Sequence, residues 1–413
     1  MQRYGLFEVL GIELEYMLVD RSTLAIRPEV SRILNEGGAP VDELKFQSTA
    51  WSNELVSHVL EIKTEPPVVS VDRAYEWLRT DLENLLPDLQ KDGYTLMGTG
   101  MHPSMRPEET VLWPGENGPI YRTFDRIFDC SGHGWSNLQS MHLNFPFKDD
   151  YEFSRLMAAI RVLLPIIPAI SASSPICEDR WTGFLDYRLE VYRQNAARVP
   201  SVSGQVVPEP VFEPSEYNEK ILQRIYDDLE PLDPEGILRD EWVNARGAIA
   251  RFQRNAIEIR VIDTQETLSM DMAIACMVVE VLRNLVEERW SDFSAQAAAS
   301  QDLLVDTFQS VLRKGGSADL DASYCSLLGL QAGTAESAWQ SLCERMSFSS
   351  EMKLDRSVEF LLSRGSLARR IKEPLELSMG TILTSAPVSV RDHIPAIYGQ
   401  FASPLLPPYS PVS

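Results

Sequence analysis

Cysteine is scarce and scattered in this 413-residue chain. The five cysteines, Cys130, Cys177, Cys276, Cys325 and Cys343, have none of the short spacings that build zinc sites. They are also too dispersed to suggest a disulfide framework, so buried thiols in a reducing cytoplasm are expected. Long apolar runs are missing as well. The longest, 162–170 and 272–282, are too short or too interrupted to span a bilayer, and no membrane association is expected. The opening Met-Gln-Arg-Tyr-Gly-Leu-Phe-Glu lacks the apolar segment of a signal peptide. Positive charge is short too: 38 Lys and Arg face 60 Asp and Glu, for a net charge of −22. That balance argues against nucleic acid as a partner, because phosphate binding needs a basic stripe. No internal repeat is visible.

What is present is a chain 44% hydrophobic, long enough for one large domain or two smaller ones. Its acids are not spread evenly. In Gly-Ile-Glu-Leu-Glu-Tyr, 11–16, the strand period puts Glu13 and Glu15 on one face and Ile12, Leu14 and Tyr16 on the other. Side-by-side carboxylates must be neutralised, by protonation or by a divalent cation that takes oxygen ligands. The same alternation would also suit a solvated strand face.

Similar faces recur along the chain. In 53–64, Glu54, His58 and Glu61 fall on one stripe if the segment begins as a helix, and Glu61 can still face inward if it turns to strand near Val59. His58 there reads as a surface residue or one behind the site. In 137–145, a strand would set Ser140, His142 and Asn144 against Met141, Leu143 and Phe145. In 255–263, Glu258 and Arg260 share a face opposite Ile257, Ile259 and Val261. Ordinary amphipathic strands explain the alternation. They do not explain why glutamates, a histidine and an arginine occupy the polar positions.

The motifs Gly-Ile-Glu-Leu-Glu (11–15), Asn-Glu with Glu-Ile-Lys-Thr (53–64), Gly-Met-His-Pro (100–103), Met-His-Leu-Asn (141–144) and Ala-Ile-Glu-Ile-Arg-Val-Ile-Asp (256–263) occur in that order. Together they resemble glutamate-cysteine ligase family 2, the carboxylate-amine ligases related to glutamine synthetase. The resemblance covers about the first two thirds of the chain. It implies an α+β fold, with an antiparallel sheet of the glutamine synthetase-like catalytic type and helices packed on one side.

The resemblance also implies an ATP-dependent ligase that makes an amide through an acyl phosphate, with glutamate joined through its γ-carboxylate to cysteine or another amine. Mg2+ or Mn2+ would be the cofactor and ATP the co-substrate. Glu15, Glu54 and Glu61 would be ligands of one metal, and Glu13, His142 and Glu258 of the metal bridging the nucleotide phosphates. Arg260 would meet the transferring phosphoryl group, with Glu258 and Arg254 beside it in catalysis. Arg251 and Asn144 would join Arg260 in holding the nucleotide. Phosphoryl transfer needs mainly positioning and charge neutralisation, which such residues supply.

This chain departs from the family pattern in two places. His142-Leu143-Asn144 stands where many members have His-x-His, leaving an amide that can hydrogen-bond but carries no proton-transfer role. The segment 246–254 is also rich in arginine, with Arg246, Arg251 and Arg254, which suggests a subgroup with a different substrate. Those arginines are a local supply of cations for an anionic nucleotide; surface pairing with Asp240 and Glu241 is the other reading.

The remaining organisation is coarser. An amphipathic helix is expected over 71–91, capped by Ser70 or Asp72 and ended by Gly93, with a strand over 95–102 and a helix over 150–164. The small residues of 169–175 allow close backbone approach. Arg188 and Arg193 could meet a carboxylate substrate. The proline-dense stretch 200–214 reads as a lid, a binding loop or a surface excursion. The organisation expected is a catalytic domain over 1–292, a helical part over 293–402 and a proline-rich tail over 403–413, in a chain that could form a homo-oligomer. Two other functions fit the same carboxylates: a metal-dependent phosphotransferase or hydrolase, and a non-catalytic metabolite-binding member of the fold.

Overall fold

The computed structural model describes residues 3–346, 354–384 and 387–401; the proline-rich segment 403–413 lies outside them. Its centre is an eight-stranded sheet built from β1 (Gly11–Asp20), β2 (Glu43–Lys45), β3 (Thr49–Asn53), β4 (Val59–Thr64), β5 (Tyr94–Met97), β6 (Ser140–Pro146), β7 (Ala248–Arg251) and β8 (Ala256–Asp263). The order is β7-β8-β6-β1-β4-β3-β2, every pair antiparallel. On one edge β1 pairs with β6 through Gly11–Leu14 and then with β5 from Met17. On the other edge it pairs with β4, setting Glu15 opposite Glu61.

One face of this sheet is dry. Ile12, Leu14, Tyr16, Leu60, Ile62, Met141, Leu143, Phe145, Ile257 and Ile259 are all buried in a single apolar cluster with the long helices. Those helices are α1 (Val71–Lys91), α3 (Asp150–Leu163) and α4 (Leu268–Val286), while α2 (Gly118–Phe128) reaches the opposite face through Tyr121 and Phe124. Helix α1 forms where its periodicity predicts. Its apolar stripe, Ala74, Leu78, Leu82, Leu85 and Leu89, is buried, and the Ser70 hydroxyl accepts from the Arg73 amide at 3.3 Å. Gly93, at φ +80°, takes the left-handed turn that ends it. Helix α4 is apolar nearly all round because it packs against both α1 and α3.

After Asp292 the chain is mainly helical, and it joins the same apolar cluster through Leu304, Phe308 and Trp339. Two polar anchors fix it: Tyr324 Oη donates to the Val162 carbonyl at 2.6 Å and Trp339 Nε1 to the Ile166 carbonyl at 2.8 Å. No described helix is long and apolar enough to cross a membrane. All five cysteines are free and buried.

Three expectations differ from the structure. Residues 53–58 are not helical; β3 turns directly into β4, because pairing with β1 satisfies the backbone of 59–64 better than an isolated short helix could. The strand expected over 95–102 stops at Met97, where Gly98 and Gly100 press against Gln265 and Asp263 too closely for any side chain. The stretch 200–214 is neither lid nor excursion. Val202, Val206 and Val207 are fully buried, and Gly247 N donates to the Val206 carbonyl at 2.7 Å, so the irregular segment packs as an internal brace.

Leu14 lies at the centre of the dry face with no exposed surface. Leu14→Ala should therefore lower stability by about 2–5 kcal/mol, read as an earlier urea-unfolding midpoint with an unchanged slope.

Candidate active site

The opposite face of the sheet carries the acids. Antiparallel register sets Glu13 opposite His142, Glu15 opposite Glu61 and Glu258 opposite Asn144, so side chains from four neighbouring strands share one surface. His142 lies between two groups. Its Nδ1 is 3.1 Å from Glu13 Oε2 and 3.8 Å from Glu258 Oε1, while its Nε2 is 3.7 Å from Glu15 Oε1. Ligand atoms of Glu13, His142 and Glu258 lie within 4.8 Å of one another, as do those of Glu15, Glu61 and His142. Glu54 is in neither tight group. It stands in the turn between β3 and β4 and faces the same cavity as Glu15.

Cations and donors hold this surface together. Arg260 Nε is 2.7 Å from Glu258 Oε1, and Arg251 donates to Glu258 Oε2 at 2.6 Å. Burial would raise the Glu258 carboxyl, but the two guanidinium groups more than offset it and bring its pKa down to about 2. Burial would likewise raise Glu13, whose hydrogen bond with His142 leaves it below the usual range. His142 is itself held above its ordinary value: burial opposes its charge, but Glu13 and Glu15 outweigh burial. Glu15 accepts from both the amide and hydroxyl of Ser140, at 2.7 and 3.0 Å. Even so, burial leaves it raised. Glu54 is raised well above its usual value by burial and by the charges of Glu15 and Glu61.

The remaining sequence candidates scatter. Asn144 Nδ2 donates to Glu13 at 3.1 Å, and its buried Oδ1 has no partner among the described residues. Arg254 is 53% exposed at the rim, 3.7 Å from Glu13. Arg246 is committed to Glu209, with Nη2 to Oε1 at 2.7 Å, rather than to these carboxylates. Arg193 pairs locally with Glu190. Arg188 is buried against Asp263 and faces the cavity.

Lys63 was overlooked in the sequence. Its Nζ reaches Glu61 Oε1 at 3.0 Å, Ser52 Oγ at 3.0 Å and Glu43 Oε1 at 3.1 Å. The signal was there, since the Glu61-Ile62-Lys63 alternation places Lys63 beside Glu61. Ser52 and Ser140, which donate to Glu61 and Glu15, were also missed as supports of the acids; serine in a strand carries no such signal.

Asp263 belongs to the site for a reason alternation does not supply. Pairing of β8 with β6 shifts register between Ile259 and Ile262, and beyond that bulge Asp263 stands opposite Ser140. Its carboxylate accepts from Ser173 N at 2.8 Å and Ser174 Oγ at 2.7 Å, and it pairs with Arg188. The small residues of 169–175 thus let the backbone close onto Asp263.

His58 points away from the acids, with Nε2 2.9 Å from the Ser136 carbonyl. Burial pushes its pKa down to about 4. Between pH 6.5 and 4 the unfolded chain therefore binds a proton that the folded chain refuses, and His58 costs stability as pH falls. His58→Gln should flatten this part of the pH dependence: urea midpoints at pH 7 and pH 4.5 should lie closer together in the variant than in the parent.

The family model for glutamate-cysteine ligase family 2 matches residues 9–326. An uncharacterized protein of Archaeoglobus fulgidus is 36% identical over 308 residues, 74% of this chain and 80% of its own length. A protein of Bradyrhizobium diazoefficiens named "Putative glutamate--cysteine ligase 2" is 27% identical, over 67% of this chain but 59% of its own length. Among solved structures, a glutamate–cysteine ligase from Francisella tularensis in complex with AMP superposes with a TM-score of 0.58 at 12% identity, covering 100% of this chain and 91% of the other. A bifunctional glutathione synthetase from Pasteurella multocida gives 0.54 at 12% identity, over 96% of this chain and 51% of the other. At such identities the superpositions speak for the fold.

Proposed function

Because the chain belongs to glutamate-cysteine ligase family 2, we propose that it is an ATP-dependent carboxylate-amine ligase, with glutamate as the carboxylate donor and an amino compound as the acceptor. The observation that carries this reading is the shared surface of Glu13, Glu15, Glu61, His142 and Glu258, with Arg260 at its edge. These side chains come from four separate strands, and a solvated strand face would not bury them.

The donor set fits a hard divalent cation such as Mg2+ or Mn2+: carboxylate oxygens, one imidazole and an unpartnered buried amide oxygen on Asn144. Glu13, His142 and Glu258 would hold one ion, and Glu15 with Glu61 a second, with Glu54 at its cavity side. A cation bound there supplies charge neutralisation for the ATP phosphates. The reaction is a carboxylate oxygen displacing ADP from the γ-phosphorus, then an amine nitrogen displacing phosphate from the acyl carbon, with loss of one proton from nitrogen.

In this scheme Arg260 orients the transferring phosphoryl group. Its own geometry is fixed by Glu258; burial opposes its charge, but the Glu258 carboxylate outweighs burial and keeps it charged. Arg251 holds Glu258 from the other side, and Arg254 is placed to meet phosphates at the rim. Lys63 and Ser52 hold Glu61, and Ser140 holds Glu15, so the acids keep their places when no nucleotide is bound.

Amine-dependent ADP release in the presence of Mg2+ and glutamate is the test of the reaction class. ADP release that is indifferent to every amine offered would favour a phosphotransferase or hydrolase instead. Arg260→Lys keeps the charge but loses the planar fork, and turnover should fall at least about tenfold with the fold intact by circular dichroism. Calorimetric titration should show ATP binding much more weakly with a chelator than with Mg2+ or Mn2+, since the clustered carboxylates then repel its phosphates. Equal affinities would refute the cation assignment.

A further inference from the structure

The acids open onto a cavity of about 230 Å3 whose two sides differ in chemistry. One part of the lining is charged: Glu15, Glu54, His142, Arg188 and Arg260. The other side is aromatic and aliphatic, formed by Phe124, Trp135 and Trp242 with Leu55, Val59 and Leu138.

The aromatic side is rigid. Phe124 and Trp135 have ring centroids 5.2 Å apart, Phe124 and Trp242 5.8 Å, and Trp135 also leans on Phe128 at 5.4 Å. Trp135 Nε1 donates to the Asn195 carbonyl at 3.1 Å, so its one polar atom is already used and its ring is left as an apolar surface. Gly134, packed against Asn195 and Val191 with no room for a side chain, lets the short helix carrying Trp135 sit this close. The Tyr121 hydroxyl is occupied as well, accepting from Asn53 at 2.8 Å.

The charged side brings the guanidinium groups of Arg188 and Arg260, and Glu54, which stands outside both tight carboxylate groups, to the same small volume. Arg188 is not free to turn away, because its guanidinium pairs with Asp263 and donates to the Arg260 carbonyl at 3.3 Å. A zwitterionic head group suits this pairing, its carboxylate toward the guanidinium groups and its ammonium toward the Glu54 oxygens, whereas a simple carboxylate would leave Glu54 without a donor. At about 230 Å3 the cavity is below the roughly 300–1,000 Å3 of pockets for larger ligands, a size for one amino acid rather than a nucleotide. The short side chain of cysteine would leave most of the aromatic surface uncovered.

We propose that this cavity takes an α-amino acid with a large apolar side chain, its carboxylate toward Arg188 and Arg260, its ammonium toward Glu54 and its side chain against Phe124, Trp135 and Trp242. This rests on the ligase reading, in which that amino acid is the amine acceptor for an activated glutamate.

Binding and turnover test it separately. Calorimetric titration of the full chain with phenylalanine, leucine, cysteine and glycine, without ATP, should give at least tenfold tighter binding of phenylalanine or leucine than of cysteine or glycine. Trp135→Ala should lower the phenylalanine-to-glycine affinity ratio at least tenfold. Phe124→Leu, which keeps an apolar side chain there, should lower it less and serves if the first variant fails to fold. Cysteine or glycine binding as tightly as phenylalanine, an unchanged ratio in both variants, or displacement of phenylalanine by adenosine at equal concentration would overturn the proposal. Amine-dependent ADP release with the same amino acids then reads the reaction itself. Phenylalanine that binds while no amino acid offered stimulates ADP release would sink the ligase reading and leave the binding site standing. Stimulation by cysteine alone would do the reverse.

Discussion

Glu13, Glu15, Glu61 and Glu258 stand on neighbouring strands of one sheet face, around a single imidazole. Two like charges 4 Å apart repel by roughly 4 kcal/mol at the dielectric typical of such sites, so a face of this kind is affordable only with compensation built in. Much of the surrounding structure supplies it. Arg251 and Arg260 grip Glu258, Lys63 bridges Glu61 to Glu43, and Ser140 offers its amide and hydroxyl to Glu15. The dry face behind, with α1 and α4 packed across it, keeps the strands from separating under that load.

The compensation is uneven, and the unevenness has a direction. Near Glu258 cations are abundant and the carboxylate stays ionised; near Glu54 they are sparse and protonation is favoured. The sheet therefore presents a strongly ionised end toward Arg251 and Arg254 and a more weakly ionised end toward the aromatic cavity. Under the proposed ligase reading, such a gradient would set polyphosphate at one end and an amino compound at the other.

Much of this was legible in the sequence as phase. Period-two alternation placed Glu13 and Glu15, His142 and Asn144, and Glu258 and Arg260 on common faces, and helix periodicity found α1 from Val71 to Lys91. Phase does not say which strand lies beside which, so the meeting of Glu13 with His142 came only from the resemblance, and the contact of Lys63 with Glu43 from neither. The segment at 53–58 read equally as helix because its stripe of Glu54, His58 and Glu61 fits that period; distant pairing with β1 decided otherwise. Arg246 looked like a phosphate ligand since its partner, Glu209, sits in a stretch with no periodicity to betray its burial.

The bulge in β8 has a consequence of another kind. Strict alternation would send Asp263 to the same side as Ile257 and Ile259, into the helix layer; one additional residue between Ile259 and Ile262 turns it toward Ser140 and Arg188 instead. The charge map of this end of the site is thus set by counting, like a reading frame. Substitution within 260–262 alters a side chain and leaves the frame in place. Removal of a single residue there would invert everything downstream at once, driving an aspartate into oil and leaving an arginine stranded, although the residue types that remain are the same.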